Sequence, residues 1–270
     1  MYKGKSATRL LPGIIILVLT IVTQVSSAAY NVFQSNHIAA HLPENIVTGN
    51  AYGVTRNIAD IILPSALIIF VISFPFIVLG LWLGPKVNLG APVWVGILQR
   101  QKGAWNMFLS NAKQAILWGL LLGALMVVLR ILLLPYLPDE IPVFGHRGVI
   151  WGLLASVSAA IGEEVWFRLG LMTIAVWIMS RLRGGKDVPA KTMWVIIVLM
   201  ALAFGAIHLP QLNAYNAAQP FAIGATILGN CVVGIFYGWL YWRRGLLAAI
   251  TGHFAVDIAI HVVPALVPIF

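Results

Sequence analysis

The chain contains seven apolar runs, at about 10–29, 61–83, 115–134, 148–180, 191–208, 221–242 and 246–263. Each is close to the ~20 residues that an α-helix needs to cross a bilayer. Inside hydrocarbon, backbone N–H and C=O groups must be satisfied within the segment, so long apolar runs of this kind fold as helices. Composition agrees. Charged residues make up 9% of the chain and hydrophobic residues 60%, with a mean hydropathy of +0.93. A soluble domain carries roughly 25% charged residues. The expected fold is all-α: a polytopic, multi-pass protein of the cell membrane with about seven transmembrane helices.

The net charge of +9 would fit a nucleic-acid binder, but its distribution excludes that class. Lys3, Lys5, Arg9, Lys86, Arg100, Lys102, Lys113, Arg181, Arg183, Lys186, Lys191, Arg243 and Arg244 fall on one side of the predicted spans, against Arg56, Arg130 and Arg147 on the other. The positive-inside rule then places the N-terminus inside and the C-terminus outside. Val93–Ala112, with Trp94, Arg100, Lys102, Trp105 and Phe108, reads as an interfacial amphipathic helix. Lys3, Lys5 and Arg9, an apolar run and the small residues of Val25–Ala29 also match a cleaved signal peptide. With or without cleavage, Tyr30 emerges outside. Residues 1–146 are expected to form N-terminal helices and 147–270 a functional helical core. The single Cys231 excludes an intramolecular disulfide and reads as buried packing.

Within the fourth run stand Glu163, Glu164 and Arg168. Unpaired, three such charges at helix centres would cost on the order of 8–10 kcal/mol. They must be satisfied locally, used, or both. Adjacent helical residues point about 100° apart, while i, i+4 residues share a face. Glu164 and Arg168 are therefore expected to pair, leaving Glu163 for another partner. Phe204 and His208 close the fifth run, where Pro210 is expected to end the helix. His253 and Asp257 share a face of the last run. His261, two turns beyond His253, reads as interfacial, and His37, His41 and His146 as solvated residues of outer loops. Gly224, Gly229, Gly234 and Gly238 in the sixth run, with Ala201 and Gly205 in the fifth, are spaced for close helix approach.

The reaction class that fits this set is hydrolysis. A buried glutamate can act as general base on water, with an imidazole polarising that water or stabilising an oxyanion. The alternative is a zinc ion held among Glu163, His208, His253 and Asp257, with one position left for water. Neither a Gly-x-Ser-x-Gly nor a His-Glu-x-x-His motif is present.

The three motifs, Glu163-Glu164-Val165-Trp166-Phe167-Arg168, Phe204-Gly205-Ala206-Ile207-His208 and His253-Phe254-Ala255-Val256-Asp257, resemble those of the CPBP family in order and spacing. This is the CAAX-protease and bacteriocin-processing family of intramembrane endopeptidases, also called Abi. Trp239–His253 is similar to the lead-in to the family's third motif, and the resemblance covers roughly 147–263. It implies a glutamate-dependent peptidase with Glu163 as water-activating base, Glu164 and Arg168 in support, and His208 and His253 at polar catalytic positions. Asp257 stands where members often have asparagine. An asparagine amide can donate to an oxyanion and an ionised carboxylate cannot. Asp257 must then be protonated, orient His253 or bind a metal. The implied substrate is a peptide or lipidated protein at the bilayer. Two other classes fit the same residues: a non-enzymatic bacteriocin-immunity or scaffold protein of this fold, and a proton-coupled transporter relaying through Glu163 and Glu164.

Overall fold

The structure is a computed structural model and describes residues 10–41, 57–146 and 148–267. Lys3, Lys5, Arg9, Arg56 and Arg147, used in the orientation argument, lie outside the described residues. All regular structure among the described residues is helical: α1 (Leu10–His41), α2 (Ile58–Leu83), α3 (Pro92–Leu98), α4 (Ala104–Leu133), α5 (Val149–Leu182), α6 (Ala190–Ala206), α7 (Leu209–Ala214), α8 (Pro220–Arg244) and α9 (Leu246–Leu266). Seven spans among the described residues are long and apolar enough to cross a membrane: α1, α2, α4, α5, α6 continued through α7, α8 and α9. The protein is a multi-pass helical membrane protein.

Three boundaries differ from the sequence reading, each for a local reason. The expected interfacial helix over 93–112 is divided. Pro92 opens the short α3, Gln99–Gly103 turns with Arg100 and Gly103 at positive φ, and α4 begins at Ala104. Residues 104–112 therefore belong to the third span. Helix α1 runs unbroken through Val25–Ala29 and on to His41, so His37 and His41 lie on a helix rather than in a loop. Its Gln24 donates to the Ser158 carbonyl of α5 at 2.9 Å, which ties that helix into the bundle. Pro210 does not terminate the fifth span; the helix ends at Ala206, and Pro210 sits in the first turn of α7. Proline suits that position because the first N–H groups of a helix have no partner anyway.

Helices α6 and α8 pack along their small residues. A Cβ added at Gly234 would meet Ala201 at 3.0 Å, and one at Gly238 would meet Ile197 at 3.0 Å. At Gly205 it would meet the Ile227 carbonyl at 2.6 Å. Backbone proximity of this kind is what the spacing predicts, but Gly224 has nothing within 4 Å and Gly229 faces Met126 of α4, so the seam does not extend to them. Gly119 and Gly123 of α4 lie equally close to α9. Cys231 is a buried free thiol. The result is a bundle in which α5, α8 and α9 meet at the centre and α1, α2, α4 and α6 surround them.

Candidate active site

Two of the central helices change pitch where they carry acids. Helix α5 is α-helical to Glu163 and takes wide π turns over Glu164–Met172. Helix α9 is α-helical to Asp257 and does the same over Ile258–Val262. The widened turn in α5 is closed by Thr173, which gives both its N–H and its hydroxyl (3.1 Å) to the Arg168 carbonyl. Such bulges cost hydrogen-bond geometry and are frequent at functional sites.

The imidazole of His253 lies between the two adjacent glutamates. Its Nδ1 is 2.9 Å from Glu164 Oε1, and its Nε2 is 3.7 Å from Glu163 Oε2 and 3.6 Å from Asp257 Oδ2. Glu163 and Glu164 point different ways, as expected, yet both reach the same ring because its nitrogens sit on opposite edges. Arg168 pairs with Glu164 at 3.2 Å and donates to the Gly234 carbonyl at 2.9 Å. Its guanidinium also lies 4.9 Å from the centre of the Phe204 ring and 5.3 Å from that of Tyr237. Glu164, Arg168, His253 and Asp257 are buried, whereas the Glu163 side chain keeps 18% of its surface. The pairing of Glu164 and Arg168 expected from their spacing is present. The contact lacks hydrogen-bond geometry, so Arg168 Nη1 and the second oxygen of Glu164 keep unused hydrogen-bonding capacity.

His208 is placed differently from the sequence reading. Among the described residues it makes no ion pair with Glu163 or Glu164. Its Nδ1 lies 2.7 Å from the Phe204 carbonyl, and its ring meets the Phe204 ring edge-on at 4.9 Å. Phe204 in turn meets the His253 ring at 6.1 Å. The two imidazoles are therefore linked through one buried phenylalanine, which occupies the depth by which the two residues differ.

Among the described residues no three His, Cys, Asp or Glu side chains are arranged as a metal's ligands. The alternative zinc set of Glu163, His208, His253 and Asp257 is not among such arrangements.

Tyr237 was not singled out from the sequence. It stacks on His253 with centroids 4.2 Å apart and ring planes 12° from parallel, and it is 1% exposed. The available signal was its position between Gly234 and Gly238, where close helix approach drives any large side chain inward. His261 is not at a free interface. Its ring is held edge-on between Phe144 and Trp151, at 6.3 and 5.8 Å, outside the cluster around His253.

A multi-pass helical membrane protein with a buried cluster of acids and imidazole is a class with several chemistries. Comparison with known proteins narrows it. Residues 145–259 match the family model described as type II CAAX prenyl endopeptidase Rce1-like, which supports the resemblance to the CPBP family. The match takes in all three motifs and none of α1–α4. No curated protein and no solved structure matches the chain.

Proposed function

We propose that this protein hydrolyses a peptide bond in a membrane-associated or lipidated substrate, with Glu163 activating the water. The observation that supports this is the gap between Glu163 Oε2 and His253 Nε2. At 3.7 Å it is too long for a direct hydrogen bond but can be bridged by one water bonded to both. Glu163 is also the only glutamate of the pair with solvent access. In this reading Glu163 takes the water's proton as the oxygen attacks the scissile carbonyl, and it returns that proton to the leaving amine. Glu164 holds His253 through Nδ1, so that Nε2 faces the water. Asp257 lies 3.6 Å from the same Nε2, also within reach of a bridging water. Arg168 neutralises Glu164, and Tyr237 and Phe204 wall the ring in. His208 lies one aromatic ring away, and because its Nδ1 donates to the Phe204 carbonyl, its Nε2 donates to a substrate oxyanion only when the ring is the imidazolium. The mechanism contains no metal step, because the donors do not form a ligand set.

The test is cleavage by the purified protein of a panel of prenylated and leader-type peptides, alongside Glu163→Ala and a run with chelator. Cleavage by the wild type that disappears in Glu163→Ala and persists in chelator supports the reading. Equal cleavage by both proteins rejects the role of Glu163. Loss in chelator with recovery on added zinc replaces the glutamate mechanism with a metal one. No cleavage across the panel favours the immunity or scaffold alternative.

A further inference from the structure

A second site lies away from the carboxylate cluster. Helices α4 and α8 each pack on α9 but barely touch one another, which leaves a crevice between them. At one end the crevice opens into a cavity of about 590 Å³ lined by Asn111 of α4, Trp242, Arg243 and Arg244 of α8 and the Gly245 corner. Further along it becomes a groove of about 530 Å³ lined by Trp118, Leu121 and Leu125 of α4 against Val232, Phe236 and Trp239 of α8. Trp239 lines both spaces. The end is cationic and the groove is wholly apolar.

The charge at the cationic end is not neutralised by its lining. Arg244 donates to Asn111 Oδ1 at 2.8 Å and to Gln114 Oε1, both neutral amides. Arg243 is exposed and lies over Trp242 at 5.0 Å. No acidic residue lines the cavity; at its rim Asn88 holds Asp187 at 3.4 Å. Length fits as well. From Arg243 to Val232 is eleven residues, about 16 Å at 1.5 Å per residue, close to the ~15 Å half-thickness of a bilayer's hydrocarbon core. The charge pattern assigns Arg243 and Arg244 to the inner side, where anionic lipids attract basic residues.

We propose that this crevice binds one anionic glycerophospholipid, with its phosphate at Arg243 and Arg244 and an acyl chain in the groove between α4 and α8. The site is independent of the peptidase reading. Its one link to the cluster is Phe236, which packs at 5.9 Å on Tyr237, the residue stacked on His253.

Tryptophan fluorescence of the full chain in detergent, titrated with phosphatidylglycerol brominated in its acyl chains, reads the site directly. Trp118 is exposed to bulk lipid, so the signal of the groove is the part of the quenching that is lost in Trp239→Phe. Brominated phosphatidylglycerol is expected to reach half-quenching at a several-fold lower mole fraction than brominated phosphatidylcholine. Arg243→Gln, an exposed replacement, should erase that preference. Val232→Phe, also at an exposed position, fills the groove and should weaken quenching by both lipids. Equal quenching by the two lipids in the wild type overturns the proposal, as does a preference that survives Arg243→Gln. If inorganic phosphate removes the preference while Val232→Phe leaves quenching unchanged, the end is an ion site and the lipid assignment is wrong.

Discussion

The first three spans and the last four are built on different terms. Of the strongest apolar stretch in each of α1, α2 and α4, 11–17% is buried; in α5, α6, α8 and α9 the share is 33–56%. The first group thus presents most of its surface to lipid, and the second buries a larger share within the bundle, α9 packing on α4 as well as on α5 and α8. Polar content follows the same division. The buried polar residues of the first group are Thr20 and Ser73, whereas Glu164, Arg168, His253 and Asp257 all belong to the second. A buried charge is tolerated where several helices converge to supply partners, and lipid supplies none. The family match to 145–259 falls within that second group. The difference teaches that fold in the first half rests on hydropathy, while in the second it rests on satisfying a polar cluster.

The sharpest test of that division is Arg168→Ala. It removes the guanidinium paired with Glu164 and leaves a carboxylate at 0% exposure with the His253 imidazole as its remaining partner among the described residues. Breaking a buried pair by deleting one partner costs about 3–5 kcal/mol. Thermal unfolding in detergent is expected to show that loss, with activity falling alongside. Asp60→Ala, at an exposed charge on α2, should change stability by less than about 0.5 kcal/mol. Similar losses for the two variants would abolish the contrast.

Seven spans, the Glu164–Arg168 pair and the glycine seam between α6 and α8 were legible because each follows from a local period: length across the bilayer, i, i+4, or small residues four apart. The placement of His208 was not, because it depends on where α6 ends. Ala206 ends the helix two residues before His208, which turns that side chain back onto Phe204. Nor was the shared imidazole legible. A rule that puts adjacent residues on different faces predicts different partners, and it does not foresee one ring with nitrogens on opposite edges. The π turns also escape sequence reading. Nothing in 164–172 or 258–262 marks a change of pitch, and the closing bond from Thr173 is visible only in three dimensions.

The first half is not only a lipid-facing sleeve, and Gly80→Val tests how tightly it docks. Gly80 of α2 lies against Leu169 in the widened turn of α5, and a Cβ there would overlap the Leu169 carbonyl. Because that obstacle is backbone, it cannot swing aside. Overpacking of this kind costs about 1–3 kcal/mol, an effect expected in Gly80→Val and absent from Leu67→Ala on the exposed face of the same helix. A benign Gly80→Val would mean that α2 separates from α5 easily and that the first group docks on the second through α4 against α9 instead.

The smallest effect concerns the single polar tie between α2 and the wide turn. Trp166 donates its indole N–H to the Ser73 hydroxyl at 2.9 Å, and Ser73 is fully buried. Ser73→Ala leaves that N–H facing hydrocarbon or protein. Interhelical hydrogen bonds in membranes average about 0.6 kcal/mol and reach about 1.7, because the unfolded helices also find partners in the bilayer. A loss of about 1 kcal/mol is therefore expected, well below that of Arg168→Ala. The double-mutant cycle with Trp166→Phe isolates the bond from the packing of either side chain. Once the donor is gone, Ser73→Ala should cost close to nothing. If its cost is unchanged in the Trp166→Phe background, the stabilisation comes from the fit of Ser73 between helices. The wide turn of α5 would then be held against α2 by shape.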